Sequence, residues 1–262
     1  MADKFTVIRE VAAGVWTFSR PFARLGIFPV GGRSTAVKLT NGGVWVLAST
    51  ALNPETKAKL DELGPVQYII SADAVHHLFL GALPVHHTKG AYNNDHMQGN
   101  SNKRTQPPSS SAPQLPSHAP TKSSFSTACG VRTRPTPNTA LRKTSKHGDY
   151  FSGFKNKDVA FFHPASKTMI QADLLFNLPC TEQYSKTKSS GSLPLLGALG
   201  PTSWLHQKFG TAMGEDKAAM KRDVKTVTDW DFTRIIPCHG DVIETGGKQA
   251  WLEAYKAYLD PA

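Results

Sequence analysis

The sequence predicts a mixed α/β (α+β) fold in which helices pack on the outside of β-sheets. Short apolar strands outnumber helices early in the chain, and the two kinds of element mix later. The closing helix has one apolar face, which is typical of a helix that covers a core. A chain of 262 residues is long enough to bury a full core.

Residues 1–81 are predicted to form a β-meander followed by a helix and a further strand. Strands are expected at 15–18, 34–39 and 44–47, and the pair Asn41-Gly42 is a strong hairpin signal. Asn53 is the expected N-cap of the helix, with Pro54 at its first position and Gly64-Pro65 at its end. The next strand covers 66–71.

Residues 151–262 are predicted to form a second half of the same sandwich. A hairpin is expected over 158–176 with its turn at His163 to Ser166, followed by a Gly/Pro/Ser-rich loop at 179–201. A helix near 215–228, a strand at 234–236 and a closing helix at 247–259 follow. The closing helix has an expected core face made of Ala250, Trp251, Ala254, Tyr255 and Tyr258.

Residues 82–150 differ from both flanks in composition. They hold nine Lys or Arg against two acids, eight of the 18 prolines, and no periodic apolar pattern. Such a segment cannot bury enough surface to order itself, so it is predicted to be disordered. It is either a genuine basic insert or a segment that does not belong to the working protein. Such a segment arises when an intron is read through or a reading frame slips. The abrupt edges favour the second explanation.

The formal charge of +10 is therefore a weak argument for a nucleic-acid partner, because +7 of it lies in that segment. No basic residues alternate with aromatics there, as strand-binding surfaces require. The N-terminus lacks the order of a secretory signal, and no apolar run approaches membrane-spanning length. We expect a cytoplasmic protein without a membrane partner. Its oligomeric state is not predicted.

Ligand-type side chains follow three predicted strands. His76 and His77 come soon after the strand at 66–71, Asp173 follows the strand at 168–170, and His239 follows the strand at 234–236. Imidazole and carboxylate groups at neighbouring strand ends are a candidate metal site. Taken singly, each residue has a commoner role: the paired histidines could begin a helix, and Asp173 could be an N-cap.

Two further motifs give the chain a family resemblance. The segment from Trp16 to Phe22 reads Trp-Thr-Phe-Ser-Arg-Pro-Phe, and Gly31-Gly32-Arg33 follows it. With the strand-end residues, these resemble the metallo-β-lactamase superfamily, and more closely a branch with a degenerate first metal motif. The resemblance covers about residues 10–81 and 151–260. It implies an αββα four-layer sandwich with metal ligands on loops at one edge.

The resemblance also implies which metal position is lost. The superfamily pattern His-x-His-x-Asp-His falls on residues 72–77, so Ala72 and Ala74 replace the first two histidines and His76 replaces the Asp. Phe154 stands where a later loop histidine belongs. All three ligands of the first metal are thus absent.

What remains implies one divalent metal ion, expected to be zinc, held by His76, His77, Asp173 and His239. Asp173 is the expected catalytic residue, steering a water molecule, and Asp241 is expected to support His239. Arg33 either holds an anionic group of a small-molecule substrate or pairs with an acid on the sheet.

Two functions stay open: a mononuclear metal-dependent hydrolase of unassigned substrate, and a non-catalytic member of the fold that binds a ligand or has a structural role. Cys180 and Cys238 are expected to be buried structural thiols, and His163 is expected to lie in a hairpin turn.

Overall fold

Two β-sheets lie face to face, and helices cover their outer faces. The computed structural model describes residues 4–76, 147–192 and 199–260. Within these ranges the first sheet has the strand order β1-β2-β5-β6-β7, and the second has the order β11-β10-β9-β8. A small ribbon of β3 and β4 stands beside the first sheet in the chain segment between β2 and β5.

The first sheet is antiparallel except for its last pair, β6 and β7, which run parallel and are joined through helix α1. Asn53 caps α1, since its side-chain Oδ1 accepts a hydrogen bond from the Thr56 N–H at 2.8 Å. The element bounds are β1 (Val7–Ala12), β2 (Val15–Arg20), β3 (Ala23–Arg24), β4 (Phe28–Pro29), β5 (Gly32–Lys38), β6 (Val44–Leu47), α1 (Pro54–Leu63) and β7 (Val66–Ile70).

In the second sheet, β9 pairs antiparallel with β8 and β10, and β10 pairs parallel with β11. Among the described residues, five α-helices follow or flank these strands. The bounds are β8 (His147–Tyr150), β9 (Val159–His163), β10 (Thr168–Ile170), α2 (Thr181–Tyr184), α3 (Trp204–Met213), α4 (Lys217–Thr228), β11 (Arg234–Ile236), α5 (Gly247–Ala254) and α6 (Lys256–Leu259).

Strand alternation assigns side chains to separate layers. On β6, Trp45 faces the second sheet and packs edge-on against Phe161 at 5.0 Å between ring centroids, whereas Val46 packs beneath α1. On β11, Ile236 joins the core between the sheets and Ile235 joins the core under α4 to α6. The molecule is therefore an αββα sandwich, which confirms the predicted fold class.

Most predicted elements of the two halves are confirmed, including the N-cap of α1 and the hairpin of β9 and β10. The structure adds β1, helix α2 inside the loop predicted at 179–201, and helix α3. The predicted closing helix is divided in two at Tyr255, whose φ of −113° and ψ of 15° leave the helical region. Its apolar face is buried as expected.

The segment predicted as disordered or foreign lies for the most part outside the described residues. Its last four residues form β8, which pairs with β9 and adds a strand to the second sheet. The described part of the second sheet thus begins four residues before the predicted start of the second half at residue 151. In the described part of the chain, no helix combines the length and the apolar character needed to cross a bilayer.

Candidate metal centre

Three strands of the two sheets end at the same edge of the sandwich, and the loops that follow them bring polar side chains together. The loop after β7 carries Asp73 and His76, the loop after β10 carries Asp173, and the loop after β11 carries Cys238 and His239. All five side chains are buried or nearly so. Buried ligand-type groups converging from separate strands are the usual form of a metal or catalytic site.

His76 is held by Asp73. The Nδ1 atom of His76 lies 2.8 Å from Oδ2 of Asp73, while Oδ1 of Asp73 accepts backbone hydrogen bonds from Val75 at 2.9 Å and His76 at 2.7 Å. Because a carboxylate only accepts, Nδ1 of His76 carries the proton. In the neutral ring, Nε2 then presents a lone pair to the site.

His239 is fixed in the same tautomer by the main chain. Its Nδ1 donates to the carbonyl oxygen of Gly31 at 2.6 Å, so its Nε2 also presents a lone pair in the neutral ring. Phe176 packs edge-on against the imidazole at 5.1 Å between centroids, and Phe22 stacks against it at 6.2 Å. These contacts hold the imidazole of His239 in one orientation.

Asp173 lies opposite the two imidazoles. Its Oδ2 accepts from Nδ2 of Asn156 at 2.6 Å, and its backbone N–H donates to the carboxylate of Asp158 at 2.6 Å. Asp158 is fully buried and also accepts from the backbone of Leu174 and Val159. The loop that presents Asp173 is therefore anchored by an acid beneath it.

The free atoms of these three residues form a compact triangle. Nε2 of His76 and Nε2 of His239 are 3.3 Å apart, and Oδ1 of Asp173 lies 3.3 Å from His239 and 3.9 Å from His76. Two ligands of a tetrahedral zinc ion are separated by about 3.3 Å when each bond is about 2.0 Å. Oδ1 of Asp173 is buried without a hydrogen-bond partner. The donor set and its spacing fit one divalent ion.

The surroundings favour positive charge at this position. Burial alone would lower the pKa of His76, but the Cys238 thiolate, the hydrogen bond with Asp73 and the charge of Asp173 outweigh it and raise that pKa to about 12. Burial would raise the pKa of Asp173, but its contacts with His239 and His76 hold it at about 2. The pKa of His239 is also raised, against burial, by Cys238 and Asp173.

Cys238 is buried beside both imidazoles. Its sulfur and one ring nitrogen of each of His76 and His239 all lie within 4.8 Å of one another. Burial would raise the pKa of its thiol, but the two positively charged histidines lower it to about 6. The expectation of a buried thiol is confirmed, and the same thiol also lies beside the two imidazoles.

Arg33 lies beneath the site. It is 1 % exposed, and its guanidinium donates to the carbonyl oxygens of Pro237 at 2.8 Å and Gly240 at 2.6 Å. It also donates to Ser19 at 2.9 Å and pairs with Glu182 at 3.3 Å. The proposed contact with an anionic substrate group is therefore wrong, because the guanidinium is committed to the loop that carries His239. Its alternative, an ion pair with an acid, is confirmed, although that acid lies on α2.

Asp241 does not contact His239 as the sequence predicted. Its Oδ1 accepts from the backbone N–H of Glu182 at 2.9 Å, and its Oδ2 accepts from the Thr181 hydroxyl. It thus fixes the start of α2, while the Gly31 carbonyl takes the role of partner to His239. The prediction failed because Gly31 is 208 positions away in the chain.

The remaining predicted site residues have clear outcomes. His77 lies outside the described residues. Ala72 and Phe154, at positions where the family pattern has histidines, are fully buried core side chains, and Ala74 is exposed. His163 lies at the hairpin turn with Nδ1 2.7 Å from the Ser166 hydroxyl, as expected.

Three residues of the cluster were not among the site residues predicted from the sequence, namely Asp73, Asn156 and Cys238. Asp73 falls on an unspecified position of the family pattern, although an Asp three residues before a His in a turn is a signal for a local side-chain pair. Cys238 adjoins His239 in the sequence, and that neighbourhood was the available signal. Nothing local distinguishes Asn156.

A cavity of about 410 Å³ opens beside the triangle, and His76 and His239 form part of its wall. The wall is mixed, with aromatic, hydroxyl and guanidinium groups. The other lining residues are Arg20, Pro21, Phe22, Arg24, Gly32, Ser49, Thr50, Ala51 and Val75. Its volume is in the range of small-molecule sites.

Comparison with solved structures identifies the fold. A metallo-β-lactamase from Pontibacter korlensis is 12 % identical over 98 % of this chain and 100 % of its own, with a TM-score of 0.50. A metallo-β-lactamase from Erythrobacter litoralis, with β-mercaptoethanol in its active site, is 12 % identical over 99 % and 98 %, with a TM-score of 0.51. VMB-1 at pH 5.5 is 10 % identical over 98 % and 99 %, with a TM-score of 0.53.

These likenesses show that the chain has the metallo-β-lactamase fold, as its sequence motifs indicated. No protein-family model and no curated protein sequence matches the chain.

Proposed function

We propose that the protein is a mononuclear metal-dependent hydrolase acting on a small molecule, with one divalent ion, zinc by preference, held by His76, Asp173 and His239. The observation that carries this proposal is the triangle of Nε2, Nε2 and Oδ1 atoms with sides of 3.3, 3.3 and 3.9 Å. When the two imidazoles are deprotonated, their Nε2 atoms and the carboxylate oxygen can each offer a lone pair to one cation between them.

A divalent ion at this position supplies Lewis acidity, which favours hydrolysis of esters, thioesters, lactones or phosphodiesters. The chain's own residues prepare the site. Asp73 and Gly31 fix the tautomers of the two imidazoles, and Asn156 leaves one oxygen of Asp173 directed at them. Asp173 also has the role of orienting a water molecule.

The adjoining cavity supports a catalytic site over a purely structural one. His76 and His239 reach its wall, so a small molecule in it contacts the ligand set directly. A structural metal site is normally closed, with every coordination position taken by protein. The non-catalytic alternative retains one argument, which is the replacement of three family histidines by Ala72, Ala74 and Phe154.

Metal analysis of the purified protein tests the proposal. We expect one equivalent of zinc in the wild type and less than a tenth of that in His239→Ala. His163→Ala is the matched control, because that imidazole lies in the hairpin turn, and it should keep the full equivalent. Two equivalents, or none near neutral pH, would contradict a mononuclear site.

Activity is tested with the same proteins against a panel of esters, thioesters, lactones and phosphodiesters. Hydrolysis by the wild type and by His163→Ala, lost in His239→Ala and Asp173→Asn, is the expected result. Metal binding without hydrolysis of any member of the panel would favour the non-catalytic alternative.

A further inference from the structure

Cys238 packs at the margin of the core between the sheets, and its sulfur lies beside the two imidazoles of the cluster. It is 2 % exposed and carries a free thiol. Consecutive residues of a strand point to opposite faces, but β11 ends at Ile236 and the chain turns at Gly240, whose φ is +85°. Cys238 and His239 can therefore both direct ligand atoms to one point.

The spacing suits coordination. A tetrahedral zinc site places a sulfur and a nitrogen ligand about 3.6 Å apart. The sulfur of Cys238 and one nitrogen of each imidazole lie within 4.8 Å of one another, which is close enough for one ion to contact all three. A second observation independent of the thiol points to a ligand here, namely Oδ1 of Asp173, which is buried, makes no hydrogen bond and faces both imidazoles.

We infer that Cys238 supplies a thiolate ligand to the ion held by His76 and His239. This inference rests on the proposed function, since it concerns the same site. On binding, the thiol loses its proton to solvent and a metal–sulfur bond forms, with no change of oxidation state. The thiolate would be the second negatively charged ligand of the ion, beside Asp173. Together they would balance the charge of a divalent ion in a buried site.

A thiolate also determines which metals the site selects. Sulfur ligands favour zinc, cobalt and cadmium over the oxygen-seeking ions magnesium, calcium and manganese. A site of histidine and aspartate alone discriminates less. A thiolate ligand would favour zinc binding in a centre that lacks the histidines of the family's first metal position.

Cobalt substitution tests the inference with a readout other than activity. The full-length protein is stripped with chelator under reducing conditions and loaded with Co²⁺. We expect a near-ultraviolet charge-transfer band from thiolate to cobalt in the wild type. Cys238→Ser should lose that band and bind Co²⁺ at least about tenfold more weakly. Cys180→Ser and Cys129→Ser are the matched controls and should keep the band.

The outcomes separate this inference from the proposed function. If visible ligand-field bands show that the wild type binds Co²⁺ but the thiolate band is absent, the role of Cys238 is overturned. The proposed metal site is unaffected by that result. A band that survives in Cys238→Ser would overturn it as well. Failure of the wild type to bind Co²⁺ would remove both proposals.

Cadmium-113 NMR of the wild type gives a second measurement that needs no variant to fold. A thiolate ligand moves the cadmium resonance strongly downfield of a site made only of nitrogen and oxygen. A resonance in the nitrogen and oxygen range would overturn the inference even if Cys238→Ser were unstable.

Discussion

Arg33 donates to the carbonyl oxygen of Gly240 at 2.6 Å, and this bond ties a fully buried charge on β5 to the loop that carries His239. The same guanidinium reaches the carbonyl of Pro237 and the carboxylate of Glu182. Four bonds from one planar group fix both the loop and α2. Arg33 is thus a positioning residue for the candidate metal centre, although its side chain does not line the adjoining cavity.

We predict that Arg33→Met destabilises the protein by about 3–5 kcal/mol, because it removes the buried donor of the hydrogen bonds to Ser19, Glu182, Pro237 and Gly240. Denaturant unfolding measures this change. Lys225→Met is the control, since both side chains of its ion pair with Asp229 are largely exposed, at 71 % and 66 %, and such a pair contributes at most about 1 kcal/mol. Equal effects of the two changes would show that Arg33 does not anchor the loop.

Gly240 is required by its backbone conformation and by its neighbour. At a φ of +85°, an added Cβ would lie 2.2 Å from the carbonyl oxygen of Asn177. We predict that Gly240→Ala destabilises the protein by more than about 2 kcal/mol and weakens zinc binding, because the loop must move. Gly246→Ala separates the effect of the positive φ from the effect of the steric clash. Gly246 has a φ of +71° with open space around its Cβ position, so its change should cost only about 1 kcal/mol and leave zinc binding intact.

Asp73 orients His76, and its replacement tests that role. Asp73→Asn keeps the shape of the side chain but loses the charge, so we predict zinc affinity lower by about 10- to 100-fold. Competition with a chelator measures it. Asp61→Asn, on the exposed face of α1, is the control and should leave the affinity unchanged. Equal affinities in wild type and Asp73→Asn would show that the hydrogen bond to His76 is dispensable.

The sequence was sufficient where local signals agree with tertiary structure. Apolar alternation, the Asn-Gly turn and the Asn53 cap each depend on a few neighbouring residues, so β2, β5, β6 and α1 were predictable. Strand β1 was not predictable, because a register shift between Glu10 and Ala12 breaks the alternation of its side chains. Helix α3 was missed because it follows a Gly/Pro/Ser-rich loop, although Ser203 caps it by accepting from the His206 N–H at 3.2 Å.

The site was predictable only in its strand-end residues. His76, Asp173 and His239 follow strands, and strand ends meet at one edge of a sandwich, so their approach could be expected. The partners of Asp241 and Arg33 could not be predicted, because both depend on α2, and the sequence predicted a loop there. Asp73 and Cys238 were visible in the sequence, but their side-chain directions are set by turns that only the structure defines.

His206 gives the fold a defined sensitivity to acid. It is fully buried on α3, and its Nε2 accepts the backbone N–H of Phe176 at 3.0 Å. Burial lowers its pKa to about 4. Between about pH 6.5 and 4 the unfolded chain binds a proton at this position that the folded chain does not, so stability falls as the pH falls.

From these pKa values, His206 should contribute about 2 kcal/mol less stability at pH 5 than at pH 7. His206→Gln keeps an acceptor for Phe176 but cannot titrate, so its unfolding free energy should depend less on pH by that amount. Urea unfolding of both proteins at the two pH values measures the difference, and shared contributions from other groups cancel. Parallel pH profiles would show that His206 is solvated or protonated in the native state, and its bond to Phe176 would then need a different description.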